Sequence, residues 1–168
     1  DNLDVGVIQY DNQHYHHLFG GNRKGNRVIF NFAEFFHSEY SDYNVTTELH
    51  ILQENGSLLR TDEFSSNFIY SQLADEELIG ESHSRPTLNQ NLIARQIWED
   101  PRQLYTSVQL LSITPDNKFE VLANLNGDQP DEFFGSSIDM SDDWLVIGAP
   151  RATVHEKENA GAIYVYKL

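Results

Sequence analysis

Two short stretches carry residue types that bind metal ions. His14 and His16 stand two apart in Asn12-Gln13-His14-Tyr15-His16-His17. In an extended chain successive side chains alternate faces, so both imidazoles fall on one side, a spacing that suits zinc or nickel. No cysteine is present to join them, and the nearest acid is Asp11. A solvated histidine cluster is the competing reading. Asn124, Asn126 and Asp128 alternate along Asn124-Leu125-Asn126-Gly127-Asp128, followed by Asp131 and Glu132. Spaced hard oxygens of this kind suit calcium, although Asn and Asp also favour polar turns for their local backbone bonds. Apart from calcium in this loop, no cofactor is expected.

Catalytic constellations are poor. The chain has no nucleophile elbow, no HExxH and no phosphate loop. His155 lies in the charged run Val154-His155-Glu156-Lys157-Glu158, and His37, His50 and His83 have no motif around them. The expectation is therefore a protein that is not an enzyme. Asn44-Val45-Thr46 and Asn55-Gly56-Ser57 fit the N-glycosylation sequon, which makes Asn44 and Asn55 candidate acceptors. Aromatic residues such as Tyr10, Tyr15, Tyr40, Tyr43, Tyr70, Trp98 and Tyr105 fall near expected loops, where rings can stack on sugars or grip peptides, or else belong to the core.

Composition limits the partners. Among 168 residues there are 26 acids against 11 Lys and Arg, a formal net charge of −15. Phosphate backbones would be repelled, so nucleic acid is excluded as a partner. A disordered chain of this charge would be poor in aromatics, whereas this one holds 8 Tyr and 10 Phe, so it folds. The absence of cysteine removes disulfide and thiolate chemistry. No stretch is long and apolar enough to form a membrane-spanning helix.

The elements that must position these residues are short. Apolar runs such as Arg27–Phe32, Thr47–Leu52, Ser107–Ile113, Lys118–Leu122 and Trp144–Ile147 are separated by Gly25-Asn26, Asn55-Gly56, Pro115-Asp116-Asn117 and similar turn signals. Strands at this spacing predict an all-β sandwich, barrel or propeller. Asn89–Trp98 fits a short helix, with apolar residues at 93, 94, 97 and 98, as well as it fits a strand. Asp75-Glu76-Glu77-Leu78 can open a helical turn, and Phe35–Asp42 and Gly80–Asn91 read as loops.

The segment from Glu132 to Leu168 contains Phe134-Gly135, then Gly148-Ala149-Pro150, then Gly161 leading into Ala162-Ile163-Tyr164-Val165-Tyr166. It resembles one FG-GAP repeat, the blade unit of integrin-α-like β-propellers. Weaker copies lie upstream. Glu48–Leu52 with Asn55-Gly56 and Leu58-Leu59 resembles the blade hairpin, Glu77–Ser82 resembles Leu145–Pro150, and Val5–Ile8 is a third fragment. The resemblance implies a partial propeller of two to three blade-like units, at about 1–59, 60–122 and 123–168. Propellers close with about 4 to 8 blades, so the ring would be completed by another chain or a parent segment. A self-contained β-sandwich is the alternative.

Within that resemblance, Gly135 and Gly148 are expected where a Cβ would clash, Phe134 between neighbouring units, Ala149 in a crowded contact, and Pro150 where the strand ladder stops. Calcium-binding blades of the family carry a DxDxDG-like loop before the LLVGAP-like strand. Asp139-Met140-Ser141-Asp142-Asp143-Trp144 is too short for it and lacks the glycine, so this unit resembles the cation-free blades. Asn124–Asp128 lies before Phe134-Gly135, outside that place. The implied job is non-enzymatic binding or adhesion outside the cytoplasm, at the cell surface or in the periplasm, with a protein or glycan ligand. A structural subunit of an extracellular or envelope assembly is the first alternative, and a carbohydrate-active or hydrolytic enzyme the second.

Overall fold

Turn chemistry sets the strand boundaries. Gly25 and Gly56 take positive φ (63° and 84°) in tight turns, and Asn117 does the same (59°), a conformation that Gly and Asn tolerate best. The computed structural model describes residues 6–9, 14–36, 43–68, 86–100 and 105–168. These form β1 (Gly6–Gln9), β2 (His14–Lys24), β3 (Arg27–Phe36), β4 (Tyr43–Leu52), β5 (Leu58–Phe68), β6 (Thr87–Leu88), β7 (Leu92–Asp100), β8 (Tyr105–Ile113), β9 (Phe119–Asn126), β10 (Ser137–Met140), β11 (Trp144–Ala149) and β12 (Ala162–Lys167). Among the described residues there is no helix, and no sheet closes into a barrel.

The chain is all-β, in three antiparallel meanders. The first sheet runs β1-β2-β3-β4-β5, the second β6-β7-β8-β9 and the third β10-β11-β12. Of the stretches read as loops, Phe35 and Phe36 end β3 and Thr87–Leu88 forms β6, while residues 37–42 and 80–85 lie outside the described residues, as does Asp75–Leu78. The ambiguous Asn89–Trp98 segment resolves as a turn followed by strand β7.

The second sheet is the middle layer, and its side chains alternate between two buried faces. Ile93, Leu111 and Ile113 meet Ile29 and Leu49 of the first sheet. Ala94 and Val108 meet Phe134, Leu145, Ile147 and Ala149 of the third. Both interfaces bury branched aliphatics, worth about 1.5–3 kcal/mol for each fully buried side chain.

Polar residues fasten the first interface. Arg95 is fully buried and sits with its guanidinium 4.8 Å from the Phe64 ring centroid. It donates to Thr47 Oγ1 (2.7 Å), to the Phe64 carbonyl (3.0 Å) and twice to Gln109 Oε1 (3.1 and 2.8 Å). All these acceptors are neutral. Burial lowers its pKa to about 10, which still leaves it charged at neutral pH. Thr47 in turn donates to the buried Asn31 Oδ1 over 2.5 Å.

Candidate functional site

The third sheet is anchored by the segment that leads into it. Asp131 and Phe133 take positive φ (63° and 56°), followed by Gly135 at 88°. This winding turns the Phe134 carbonyl toward the second sheet, where it accepts from Thr106 Oγ1 at 2.7 Å and, more weakly, from Gln96 Nε2 at 3.5 Å. Phe134 is buried, and its ring meets that of Tyr164 edge-on, with centroids 5.0 Å apart. A Cβ on Gly135 would lie 2.7 Å from Val108 Cγ2 and 3.2 Å from Gln96 Cγ. Positive φ and close approach to the second sheet therefore both demand glycine there. The Gly135 N–H donates to the Gly148 carbonyl at 3.0 Å, which ties the loop to β11.

Gly148 is less constrained. An added Cβ there meets chiefly the Ser137 hydroxyl, a group that can rotate away. Ala149 is buried and pairs with Ala162, Pro150 lies in the turn after β11, and Gly161 (φ 79°) lies beside the Pro150 carbonyl. β11 and β12 lie side by side, Val146 opposite Val165.

Glu132, named in the sequence only as an acid beside the calcium candidate, is buried beside this turn. Both its carboxylate oxygens accept from Tyr164 Oη, at 3.2 and 3.0 Å, and Oε1 fills the space that a Cβ on Gly127 would take. Tyr164 Oη also accepts from the Asp128 N–H at 3.2 Å. Desolvation, with the neighbouring Glu132 and Asp128 charges, raises the Tyr164 pKa.

Residues 126–166 match the model of the FG-GAP repeat family. The matched stretch begins at the last residue of β9 and takes in the Glu132–Gly135 turn and almost all of the third sheet. Three antiparallel sheets stacked face to face, the last carrying an FG-GAP repeat, are consistent with partial propeller blades. Such repeats are generally non-catalytic.

The metal candidates are placed as follows. Asn124 lies on β9, and its Oδ1 accepts from Gln109 Nε2 at 3.1 Å. Asn126 ends the strand, and Asp128 follows beside Tyr164. Among the described residues no three His, Cys, Asp or Glu side chains gather as a metal site. His14 and His16 are both on β2, opposite Phe36 and Glu34. Of the sequon residues, Asn44 is on β4, and Asn55 is exposed in the β4–β5 turn, where its Oδ1 accepts from the Ser57 N–H and hydroxyl. His155 is on an exposed turn, and His50 is 2.8 Å from Glu48 through Nε2. Burial works to raise the Glu48 pKa, but hydrogen bonds from His50 and Arg60 outweigh it and hold the group below its ordinary value. His37 and His83 lie outside the described residues, as do Tyr10, Tyr40 and Tyr70.

The tight turns gather at one rim. The β2–β3, β6–β7 and β8–β9 turns enclose an open cleft of about 510 Å³, lined by Lys24, Arg27, Asn26, Gln90 and Asn117 among others. Arg27 ties these turns together, donating to the Gln90 carbonyl (2.5 Å), Asn91 Oδ1 (2.8 Å) and Asn117 Oδ1 (3.1 and 3.3 Å). Asn89 Nδ2 donates to the Ser141 carbonyl at 3.3 Å, so the β10–β11 turn joins the same rim. These turns are far apart in sequence, so no motif marks the cleft.

Proposed function

We propose that this chain is a non-enzymatic binding module of propeller type that works outside the cytoplasm, at the cell surface or in the periplasm. Its ligand is a protein or a glycan held by turns at the sheet ends. The observation that carries this reading is the FG-GAP repeat at residues 126–166, packed through Phe134 onto a neighbouring antiparallel sheet. Repeats of this kind build rigid scaffolds whose loops are free to vary, and binding residues concentrate on such loops. The rim of tight turns is the ligand face: its side chains are already cross-linked by Arg27, so little ordering entropy is lost on binding. The module is read as three blade-like units, at about 1–59, 60–122 and 123–168, although the sheet boundaries fall later, with β5 wholly in the first sheet and β9 wholly in the second. Screening the immobilised chain against glycan and extracellular-protein arrays tests this. Reproducible binding lost on altering rim residues is the expected result, and catalytic turnover of any bound molecule would overturn it.

A structural role in an extracellular or envelope assembly is the second reading, favoured by the outer face of the third sheet. Ile163 and Val165 are 73% and 58% exposed there, beside Trp144 and Val146. An apolar sheet face and a bare edge strand of this kind favour cover by a neighbouring unit, from another subunit or from the rest of a larger chain. Light scattering separates the two: a concentration-independent monomer is what the binding-module reading expects, and a stable oligomer favours the structural one.

A further inference from the structure

We infer that the cleft between Lys24, Arg27, Gln90 and Asn117 binds an acidic oligosaccharide, with its carboxylate or sulfate group seated between the two cations. The inference rests on the binding-module reading above and names its ligand class. Charge is the first ground. The chain carries 26 acids and 11 Lys and Arg, yet among the described residues the two titratable ones lining this cleft, Lys24 and Arg27, are cations. Arg23, next to Lys24 on β2, is not among the lining residues, and its Nε donates to the Gly25 carbonyl at 2.9 Å. Asp116, exposed between the lining residues Pro115 and Asn117, does not itself line the cleft, and its Oδ1 accepts from Thr114 Oγ1 at 2.5 Å.

The state of Arg27 is the second ground. Each of its four hydrogen bonds ends on a neutral oxygen: one main-chain carbonyl and the amides of Asn91 and Asn117. Those bonds fix the guanidinium without neutralising it. A fixed, half-buried positive charge is a prepared partner for an oxyanion, and charge-assisted bonds of this type are about twice as strong as neutral ones.

The third ground is donor and acceptor count. Asn117 accepts from Arg27 through Oδ1, so its amide NH2 remains for a ligand. Arg27 keeps one Nη2–H beyond its four bonds, so with Lys24 and the Asn117 amide the cleft offers mainly donors, which match an acceptor-only anion, while the side chains of Asn26 and Gln90 can both donate and accept toward hydroxyls. Among the described residues no aromatic ring lines the cleft, so stacking of a neutral sugar has no platform from them, and the apolar part of the lining is limited to Ile51 and Pro115. The volume of about 510 Å³ lies within the range of small-ligand sites, about 300–1,000 Å³.

The test is calorimetric titration of the full chain with tetragalacturonate, a heparin-derived tetrasaccharide, methyl-esterified tetragalacturonate, inorganic sulfate and a poly-glutamate peptide. Binding of one or both acidic sugars is expected, and whichever binds identifies the acid group. The methyl ester, sulfate and poly-glutamate should bind at least tenfold more weakly. Lys24→Gln should weaken the acidic sugar about tenfold and Arg27→Gln more, with Lys167→Gln, on β12, unchanged. Lys24 is exposed, so its variant reports on the site even if Arg27→Gln loosens the turns. Equal binding of the methyl ester, or tighter binding of poly-glutamate, overturns the ligand class. Acidic-sugar binding unaffected by either rim variant overturns the site but leaves the module a binding protein. Failure of every acidic sugar, with array ligands still bound, likewise overturns only this inference.

Discussion

Arg95 of the second sheet donates to Thr47 of the first across 2.7 Å, both side chains fully buried. A cation in this position has lost its water, and four hydrogen bonds to neutral acceptors compensate it. Thr47→Val keeps the shape but strands one guanidinium N–H and Asn31 Oδ1. The expected cost is about 2 kcal/mol, read as a fall in the denaturation midpoint. Arg95→Lys should cost at least as much, because one ammonium cannot reach Gln109, Thr47 and the Phe64 carbonyl together. A Thr47→Val midpoint within error of the parent would show that the two sheets are held by apolar packing alone.

Gly135 and Gly148 are expected to differ. Gly135→Ala must accept positive φ and contact with Val108, so a loss of about 2–4 kcal/mol is expected. Gly148→Ala meets chiefly the Ser137 hydroxyl and should cost less than about 1 kcal/mol. Thermal melts of the two variants check the order, and the reverse order would refute the close approach of the Gly135 loop to the second sheet.

The third sheet was the most legible part of the sequence. Leu145, Ile147 and Ala149 face inward, while Trp144 and Val146 face out, because that sheet has one covered face and so shows period-two alternation. β7 was ambiguous for the opposite reason. It lies in the middle layer with both faces buried, so Ile93, Ala94 and Ile97 lose the alternation and imitate a helical spacing. Glu132 stands in the sequence only as an acid after the Asn124–Asp128 calcium candidate, and its pairing with Tyr164 is not legible there because the two are 32 residues apart. The cleft at Arg27 is not legible for the same reason, because its bond from Arg27 to Asn117 joins residues 90 positions apart.

Alkaline pH should loosen the third sheet. Tyr164 has a raised pKa in the folded chain, mainly through desolvation, so the folded state holds its proton more tightly than the unfolded state does. Its contribution is whole below the ordinary phenol value near pH 10 and disappears as pH rises through the higher folded value. Tyr164→Phe should therefore be less stable than the parent at pH 8, with the gap narrowing above about pH 10. Urea midpoints across that range test this, and a gap that stays constant would mean that the hydroxyl adds nothing.

The acid limb should depend on Glu48. Its lowered folded pKa means that the stability it contributes is present above the ordinary carboxylate value and is lost as pH falls through the folded one. Burial opposes this shift, and the hydrogen bonds from His50 and Arg60 produce it. Glu48→Gln should flatten the decline between about pH 5 and pH 3. An unchanged slope in acid titrations followed by near-ultraviolet dichroism would assign that decline to other carboxylates.

Chelator should leave the fold intact. A calcium ion at Asn124, Asn126 and Asp128 would need Asn124 Oδ1, which already accepts from Gln109 Nε2, the same side chain that receives Arg95. A cation on that oxygen would compete with a half-buried hydrogen bond that links β9 through Gln109 to Arg95, which is worth about 0.5–1.5 kcal/mol. The β10–β11 turn, the family's usual cation position, is closed instead by Ser141, whose hydroxyl accepts from the Asp143 and Trp144 N–H groups. Melting temperature is thus expected to be the same in EDTA and in millimolar calcium. A shift of many degrees would place a structural cation on one of these two turns, and Asp128→Asn would then tell which, by removing the shift only if the ion sits beside Tyr164.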